Sequence, residues 1–141
     1  MNGWLLDTNV VSELRKTRPA ARVKAWSDAQ PPDSLFLSTV TLAEIRYGIE
    51  CQSDPAFRQE LERWLDDGLR PWFARRILPV DEDVILEWRR MVARGRQQSI
   101  TFSQPDLFIA ATAQVHALTV CTRNDNDFRA ANVPVLNPWS E

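Results

Sequence analysis

The stretch of sequence that decides the fold is "WLLDTNVVSEL", residues 4–14. Its apolar start predicts a short buried strand over residues 3–6, and the residues that follow predict a helix over 9–16. The carboxylate of Asp7 stands directly at the end of that strand. Thr8 or Asn9 alone would suffice to cap the helix. An acidic residue at this point therefore raises the question of whether other strands also end near a carboxylate.

The composition is that of one globular domain spanning residues 1–141. Hydrophobic residues make up 44% of the chain and charged residues 26%, which excludes wholesale disorder. No run approaches the ~20 apolar residues of a membrane span, and the first apolar run is too short for a secretory signal. Cys51 and Cys121 lack metal-site spacing and fit a reducing compartment, so we expect a cytoplasmic protein. The single histidine, His116, excludes a mechanism that needs a histidine pair.

The basic residues are strongly biased towards arginine. All 17 of them except Lys16 and Lys24 are arginine, and 19 acidic residues bring the formal net charge to −2. Arginine binds phosphate groups in a bidentate manner. The weakly negative total therefore does not exclude a nucleic acid as a partner.

Predicted strands and helices alternate along the chain. The predicted strands are 3–6, 35–39, 76–81, 118–122 and 133–137, and the predicted helices are 9–16, 20–29, 41–51, 55–70, 82–94 and 106–117. Residues 95–104 are predicted to form a loop, and residues 123–128 a turn. This alternation favours an α/β fold of three layers, with a central, mostly parallel sheet of four to five strands and helices on both faces.

Acidic residues recur near the predicted strand ends. Asp7 ends the first strand, and Glu44 is placed in the first turn of the helix after the second strand. Asp106 lies in the first turn of the helix after the 95–104 loop, and the group Asn124, Asp125 and Asp127 follows the strand 118–122. Ligands of open parallel sheets bind beyond the carboxyl ends of the strands. We therefore expect these side chains to converge at one edge of the sheet.

Each acidic position also has a purely structural explanation. Asp7 could cap its helix, and the T-x-x-E pattern from Thr41 to Glu44 matches a capping box. Asp106 could answer the positive end of a helix dipole, and residues 124–127 could be ordinary turn residues. Their joint placement favours a site, because two carboxylates ~4 Å apart repel by roughly 4 kcal/mol at an effective dielectric constant near 20. Such a group needs protons or a cation, and oxygen ligands suit Mg²⁺ or Mn²⁺.

Four stretches, in this order along the chain, resemble the PIN-domain ribonucleases, and among them the toxins of the VapC type and their FitB-like branch. They are "LLDTNVVSEL" (5–14), "STVTLAEIRYGI" (38–49), "PDLFIAATAQVHALTVCTRNDNDF" (105–128) and "VPVLNPW" (133–139). The resemblance implies the PIN-like three-layer fold and an endoribonuclease dependent on Mg²⁺ or Mn²⁺. It also implies a homodimer, inhibition by a cognate antitoxin of the VapB or FitA type, and an RNA substrate.

Carried over residue by residue, the resemblance assigns Asp7, Glu44 and Asp106 as catalytic residues and as metal ligands. The chain departs from the family pattern at the fourth acidic position, where Asn124 stands after "TR" in place of the aspartate that members often carry. Asp125 or Asp127 could compensate, and we favour Asp127 as the fourth catalytic acid.

Further polar residues near these positions are candidates for substrate binding. They are Thr8, Asn9, Ser103, Asn124 and Arg96. Thr8 is equally explained as a helix cap, and a helix cap is the favoured explanation for Ser103. The arginines at 89, 90, 94 and 96 could hold RNA phosphates or form a solvated helix face. Tryptophans on the helical segments could pack in the core or line a groove for an antitoxin.

Other function classes fit the sequence less well. A haloacid-dehalogenase-like phosphatase needs an aspartate where this chain has Asn9, and a receiver domain needs a late lysine that this chain lacks. A degenerate PIN domain that only binds nucleic acid or an antitoxin remains an alternative, and Asn124 is the feature in its favour.

Overall fold

The central sheet of the computed structural model, which describes residues 3–140, has five strands, all parallel. The strands are β1 (Trp4–Leu6), β2 (Leu35–Ser38), β3 (Ile77–Leu78), β4 (Thr119–Cys121) and β5 (Val135–Leu136), in the order β3-β2-β1-β4-β5. The strand that opens the sequence is therefore the middle strand of the sheet. Trp4 pairs with Leu35 on one side and with Thr119 on the other.

Helices connect the strands. They are α1 (Thr8–Arg15), α2 (Ala21–Ala29), α3 (Thr39–Glu50), α4 (Pro55–Arg63), α5 (Arg70–Trp72), α6 (Glu82–Gln97), α7 (Gln104–His116) and α8 (Asp125–Arg129), with a 3₁₀ turn at Pro32–Ser34 and a π-helical segment at Trp64–Leu69. Asp7, Ser38, Asp54 and Asp81 cap four of these helices by accepting hydrogen bonds from backbone N–H groups. None of the helices within residues 3–140 is long and apolar enough to cross a membrane.

Two apolar clusters cover the two faces of the sheet. Leu6 belongs to a cluster formed with α1, α3 and α4, whereas the adjacent Leu5 belongs to a cluster formed with α6 and α7. Val120 and Cys121 on β4 divide in the same way. Successive side chains of a strand point to opposite faces, so the three-layer arrangement predicted from the sequence is confirmed.

The structure corrects several element boundaries. The loop predicted at 95–104 is shorter, because α6 continues to Gln97 and α7 begins at Gln104. The turn predicted at 123–128 contains the short helix α8, which buries Phe128 against the second apolar cluster. The helix predicted over 55–70 changes to a π-helical segment at Trp64.

We predict that β1 is the most sensitive strand of the fold. Leu5 is fully buried in the middle strand, so Leu5→Ala should lower the free energy of unfolding by roughly 2–5 kcal/mol through lost burial and the cavity that remains. Leu86→Ala is the matched control, because Leu86 on α6 is 48% exposed and should change stability by no more than about 0.5 kcal/mol. Urea unfolding measures both, and equal losses would contradict the central place of β1.

Candidate active site

Asp7 and Thr122 meet at the carboxyl edge of the sheet. The pairing of Leu6 with Cys121 places the next residue of each strand side by side. The Thr122 hydroxyl donates to Oδ2 of Asp7 (2.8 Å), and the backbone N–H of Asp7 donates to the Cys121 carbonyl (2.9 Å). Asp7 is only 4% exposed and Thr122 is fully buried. The register of two parallel strands therefore fixes the position of the first predicted catalytic acid.

Capping accounts for only one of the two oxygens of Asp7. Its Oδ1 accepts from the backbone N–H of Thr8 (2.8 Å) at the start of α1, so the structural explanation is correct as far as it goes. The pKa of Asp7 is nevertheless raised, because burial outweighs the hydrogen bonds from Thr122 and Thr8, and the charge of Glu44 raises it further. A carboxylate held in this way is costly for the fold, which is typical of functional sites.

Thr122 is a site residue that sequence reasoning missed. Besides binding Asp7, its hydroxyl accepts from the Asn124 backbone N–H (3.0 Å) and from Nδ2 of Asn9 (3.3 Å). Oδ1 of Asn9 in turn accepts from the Arg123 backbone N–H (3.3 Å). The signal in the sequence is a polar residue directly after a buried strand, the same signal that marked Asp7.

Two predicted substrate residues thus have structural contacts of their own. Asn9 links α1 to the turn after β4, and the Asn124 backbone is fixed on Thr122. The Asn124 side chain makes no capping hydrogen bond to α8 and is exposed. It therefore stays available as the substrate contact that the sequence predicted.

Glu44 lies opposite Asp7 on α3 and is held by Thr8. The Thr8 hydroxyl donates to Oε1 of Glu44 at 2.8 Å. The capping-box explanation for Glu44 is wrong, because Ser38 caps α3 through the Val40 N–H and Glu44 falls in the second turn instead of the first. Thr8 is likewise not a helix cap, since Asp7 occupies that position.

The charges of the other predicted acids raise the pKa of Asp106. It lies in the first turn of α7, and its pKa is raised to about 6 by burial first and then by the charges of Asp7, Asp127 and Glu44. None of these four carboxylates forms a salt bridge within residues 3–140. The four acids predicted from the sequence therefore lie close enough for their charges to interact, and no basic side chain among residues 3–140 neutralises them.

The structure distinguishes the two candidates for the fourth acid. Asp125 pairs with Arg129 (3.4 Å) and accepts from Nδ2 of Asn137 (3.3 Å). Asp127 is exposed, and its charge raises the pKa of Asp106. This arrangement favours Asp127 as the acid that faces the site.

The remaining substrate candidates lie on the side of α7. Ser103 is the N-cap residue of α7, as the capping explanation predicts, but its side chain makes no capping hydrogen bond. Arg96, in the last turn of α6, is exposed and has no salt bridge over the part of the chain that the structure describes. Arg90 and Arg94 instead pair with Glu87.

The donor set fits a hard divalent cation in chemistry and charge. All four acids offer carboxylate oxygens, which Mg²⁺ and Mn²⁺ prefer, and the raised pKa of Asp106 reflects negative charge that a cation would offset. However, no three histidine, cysteine, aspartate or glutamate side chains among residues 3–140 form a ready-made cluster for a metal ion. The acids are thus near enough for their charges to interact, but their side chains are not arranged as a complete set of metal ligands.

We predict that the charge of Asp106 destabilises the metal-free protein at neutral pH. An acid whose pKa rises on folding contributes stability below its ordinary pKa near 4 and loses that contribution as the pH passes about 6. In EDTA, Asp106→Asn should therefore raise the melting temperature at pH 7.5 by about 3 °C. That shift corresponds to roughly 1 kcal/mol after solvent screening of a half-buried group. The gain should vanish near pH 4.

Asp67→Asn serves as the matched control for that measurement. Asp67 is exposed in the π-helical segment and forms no salt bridge within residues 3–140, so its variant should show no pH-dependent gain. A melting temperature of Asp106→Asn that parallels the wild type at all pH values would show that folding does not raise the pKa of Asp106.

Comparison with known proteins places this geometry in a family. The family model described as "PIN domain" matches residues 4–134. The chain is 39% identical to toxin FitB of Neisseria gonorrhoeae over 97% of its own length and 99% of that protein. It is 37% identical to VapC ribonuclease Y4jK of Sinorhizobium fredii, over 96% of each chain. The crystal structure of FitAcB from Neisseria gonorrhoeae superposes with a TM-score of 0.93 at 38% identity, over 98% of this chain and 99% of that one.

The three lines of comparison agree with one another and with the resemblance found in the sequence. The family model covers the sheet from β1 to the residue before β5, and the structural match extends over nearly the whole of both chains. Identity of this extent shows common descent and not only a shared fold. The chain belongs to the PIN-domain family and is similar throughout its length to proteins named FitB toxin and VapC ribonuclease.

Proposed function

We propose that this protein is an endoribonuclease dependent on Mg²⁺ or Mn²⁺ and the toxin of a type II toxin–antitoxin pair. The observation that carries the proposal is the grouping of acids around Asp106, whose pKa is raised to about 6 by burial first and then by the charges of Asp7, Asp127 and Glu44. The names of the relatives, a ribonuclease and a toxin, support the same activity. The proposed mechanism needs no histidine, in agreement with the single histidine of the chain.

Three acids of the site would bind the cation, and two threonines would orient one of them. Asp7, Glu44 and Asp106 would hold the cation, since the charges of Asp7 and Glu44 both act on Asp106. When bound, such an ion neutralises a phosphodiester and lowers the pKa of a coordinated water. Thr122 and Thr8 keep Asp7 in one orientation, which a ligand needs for ordered binding.

Glu44 and Asp127 would act on the attacking water. Oε1 of Glu44 is occupied by the Thr8 hydroxyl, so Oε2 remains to orient the water or to accept its proton. Asp127 is exposed beside Asp106 and would complete the acidic set in place of the aspartate that many members carry at position 124.

The polar residues around the acids would bind the RNA. Arg96 would contact a phosphate, since it is exposed near the end of α6 and free of salt bridges within residues 3–140. The exposed Asn124 amide and the Ser103 hydroxyl would contact the nucleotides on either side of the cleaved bond, and Thr8 and Asn9 would line the site beneath them. Phosphate contacts of this kind make affinity depend on salt.

An apolar groove next to the site suits an antitoxin segment. The groove has a volume of about 320 Å³, begins at Thr8 and Glu44, and continues between α1, α3 and α4 to Phe57 and Trp64. The Arg15 guanidinium lies over both aromatic rings, 5.6 Å from the Phe57 centroid and 6.0 Å from that of Trp64. A peptide bound here would cover Glu44, so binding of the antitoxin would itself inhibit the enzyme.

We also expect the toxin to form a homodimer.

A binding module without catalysis is the second candidate function. Asn124 in place of an acid and the lack of a ready-made cluster of three ligands among the described residues both favour it. Such a module would retain RNA or antitoxin with or without a divalent ion.

Cleavage of RNA tests the two candidates against each other. The purified protein should cut RNA with Mg²⁺ or Mn²⁺ and stop in EDTA. Asp7→Asn should reduce the rate at least about 100-fold, because even changes next to a metal ligand cost 10- to 100-fold. Asp67→Asn should cut like the wild type. RNA that is bound but uncut by the wild type under every metal condition would favour the binding module, as would full activity of Asp7→Asn in a folded protein.

Affinity for the cognate antitoxin tests the groove. Trp64→Ala should weaken binding roughly 30-fold, which corresponds to the ~2 kcal/mol of an aromatic anchor. The exposed Leu86 on α6 supplies the control variant Leu86→Ala, which should bind with unchanged affinity. Calorimetry with the purified antitoxin measures both constants. Equal affinity of Trp64→Ala and the wild type would place the antitoxin on another surface.

A further inference from the structure

A second cavity opens directly beside Asp106 and Asp127. It has a volume of about 230 Å³ and lies between the segment 98–103, the first half of α7 and helix α8. Asp106 and Asp127 line it, so the cavity and the proposed catalytic acids share a wall. Sites for drug-sized ligands begin near 300 Å³. This cavity is therefore sized for one flat ring system and not for a whole nucleotide.

The lining of the cavity combines apolar and hydrogen-bonding groups. Leu107, Ala110 and Phe128 supply apolar surface, and Phe102 supplies an aromatic ring at the edge. Ser103 lines the cavity with a hydroxyl that, at a helix N-cap position, makes no capping bond and so remains free for a ligand. Such a lining suits a planar molecule with apolar faces and polar edges.

The segment that carries Phe102 is held rigidly against α6 at Gly95. The backbone N–H groups of Ile100 and Gln98 both donate to the Gly95 carbonyl, at 2.7 and 3.0 Å, and Ser99 adopts a left-handed conformation with φ of 58°. A Cβ atom at Gly95 would lie 2.7 Å from Cε2 of Phe102 and 3.0 Å from the Ile100 carbonyl. Glycine at this position therefore allows the aromatic wall to be formed before a ligand arrives.

Charge decides which part of RNA can enter. With Asp106 engaged by the cation, none of the residues 3–140 that line the rest of the cavity offers a positive charge to a second phosphate, whereas an uncharged base can pack on the apolar walls. Carboxylates accept hydrogen bonds, as they do from the amino group of cytosine. Adenine, guanine and cytosine carry such an amino group, and uracil does not.

We propose that this cavity binds one unstacked nucleobase of the RNA next to the cleaved phosphate and prefers bases that carry an exocyclic amino group. The inference rests on the proposed ribonuclease function and adds the element that selects the cleavage position. Phe102 stacks on the face of the base, Ser103 and Asp127 bind its edge, and Gly95 is a positioning residue for Phe102.

The base preference at the cleavage position tests the proposal. A pool of RNA with a randomised segment is cut by the wild type, and the fragment ends are sequenced. We expect one position beside the cut to disfavour uracil about tenfold, the scale of the one hydrogen bond that its missing amino group would have made. Phe102→Ala should remove the preference, and the milder Ser103→Ala should reduce it in a protein that keeps the aromatic wall. Leu86→Ala should retain it in full.

A measurement without catalysis separates this inference from the proposed function. In EDTA, ¹⁵N NMR spectra are recorded during titration with cytidine, adenosine and uridine at millimolar concentration. Cytidine and adenosine should shift the amide signals of Thr101, Ser103 and Asp127 more than uridine does. RNA cleavage that ignores the neighbouring base, or amide signals here that no nucleoside shifts, would overturn the base site while leaving the ribonuclease intact. A protein that cuts no RNA would overturn the ribonuclease proposal, and the NMR titration would then decide the base site alone.

Discussion

The hydrogen bond between Thr122 and Asp7 is the contact on which the rest of the site depends. It joins the ends of the two central strands, 115 residues apart in the chain, at a point where both residues are buried. The same threonine hydroxyl receives Asn9 and the Asn124 backbone, so it fixes the start of α1 and the turn before α8 at once. Removing it would leave a buried carboxylate with one hydrogen bond fewer, which costs more than an exposed bond of the same kind.

The site lowers the stability of the fold that carries it. Burial raises the pKa of Asp7, and burial with three neighbouring charges raises that of Asp106. Elsewhere in residues 3–140 five acidic side chains form salt bridges, among them Glu13 with Lys16 and Glu87 with Arg94. The four acids at the sheet edge, in contrast, form no salt bridge within residues 3–140. Charge left unbalanced in this way suits the cation-dependent cleavage that we propose.

Much of this could be predicted from the sequence because the signals are local. Alternating apolar runs marked all five strands, and Asp7 followed its strand visibly. Thr122 was visible only as a polar residue at the end of a strand, because its partner is set by the register between β1 and β4, and register depends on contacts remote in sequence. Glu44 was placed one turn too early because Thr41 and Ser38 are both plausible caps, and only the backbone at Ser38 shows which one is used.

Helix α8 escaped prediction for a different reason. Its five residues are mostly polar and too short to show a period, and it is held in place by the burial of Phe128, which is 1% exposed. Its position matters for function, because it carries Asp127 towards Asp106 and leaves Asp125 paired with Arg129. The choice between these two acids therefore needed the tertiary structure.

We propose that the distant acids act together on one divalent ion. Titration with Mn²⁺, followed by paramagnetic broadening of amide NMR signals, measures this directly. The signals of Asp7, Glu44 and Asp106 should broaden together and before all others. Broadening that begins at exposed acids such as Glu60 and Glu62 on α4, while the three signals stay sharp, would contradict it.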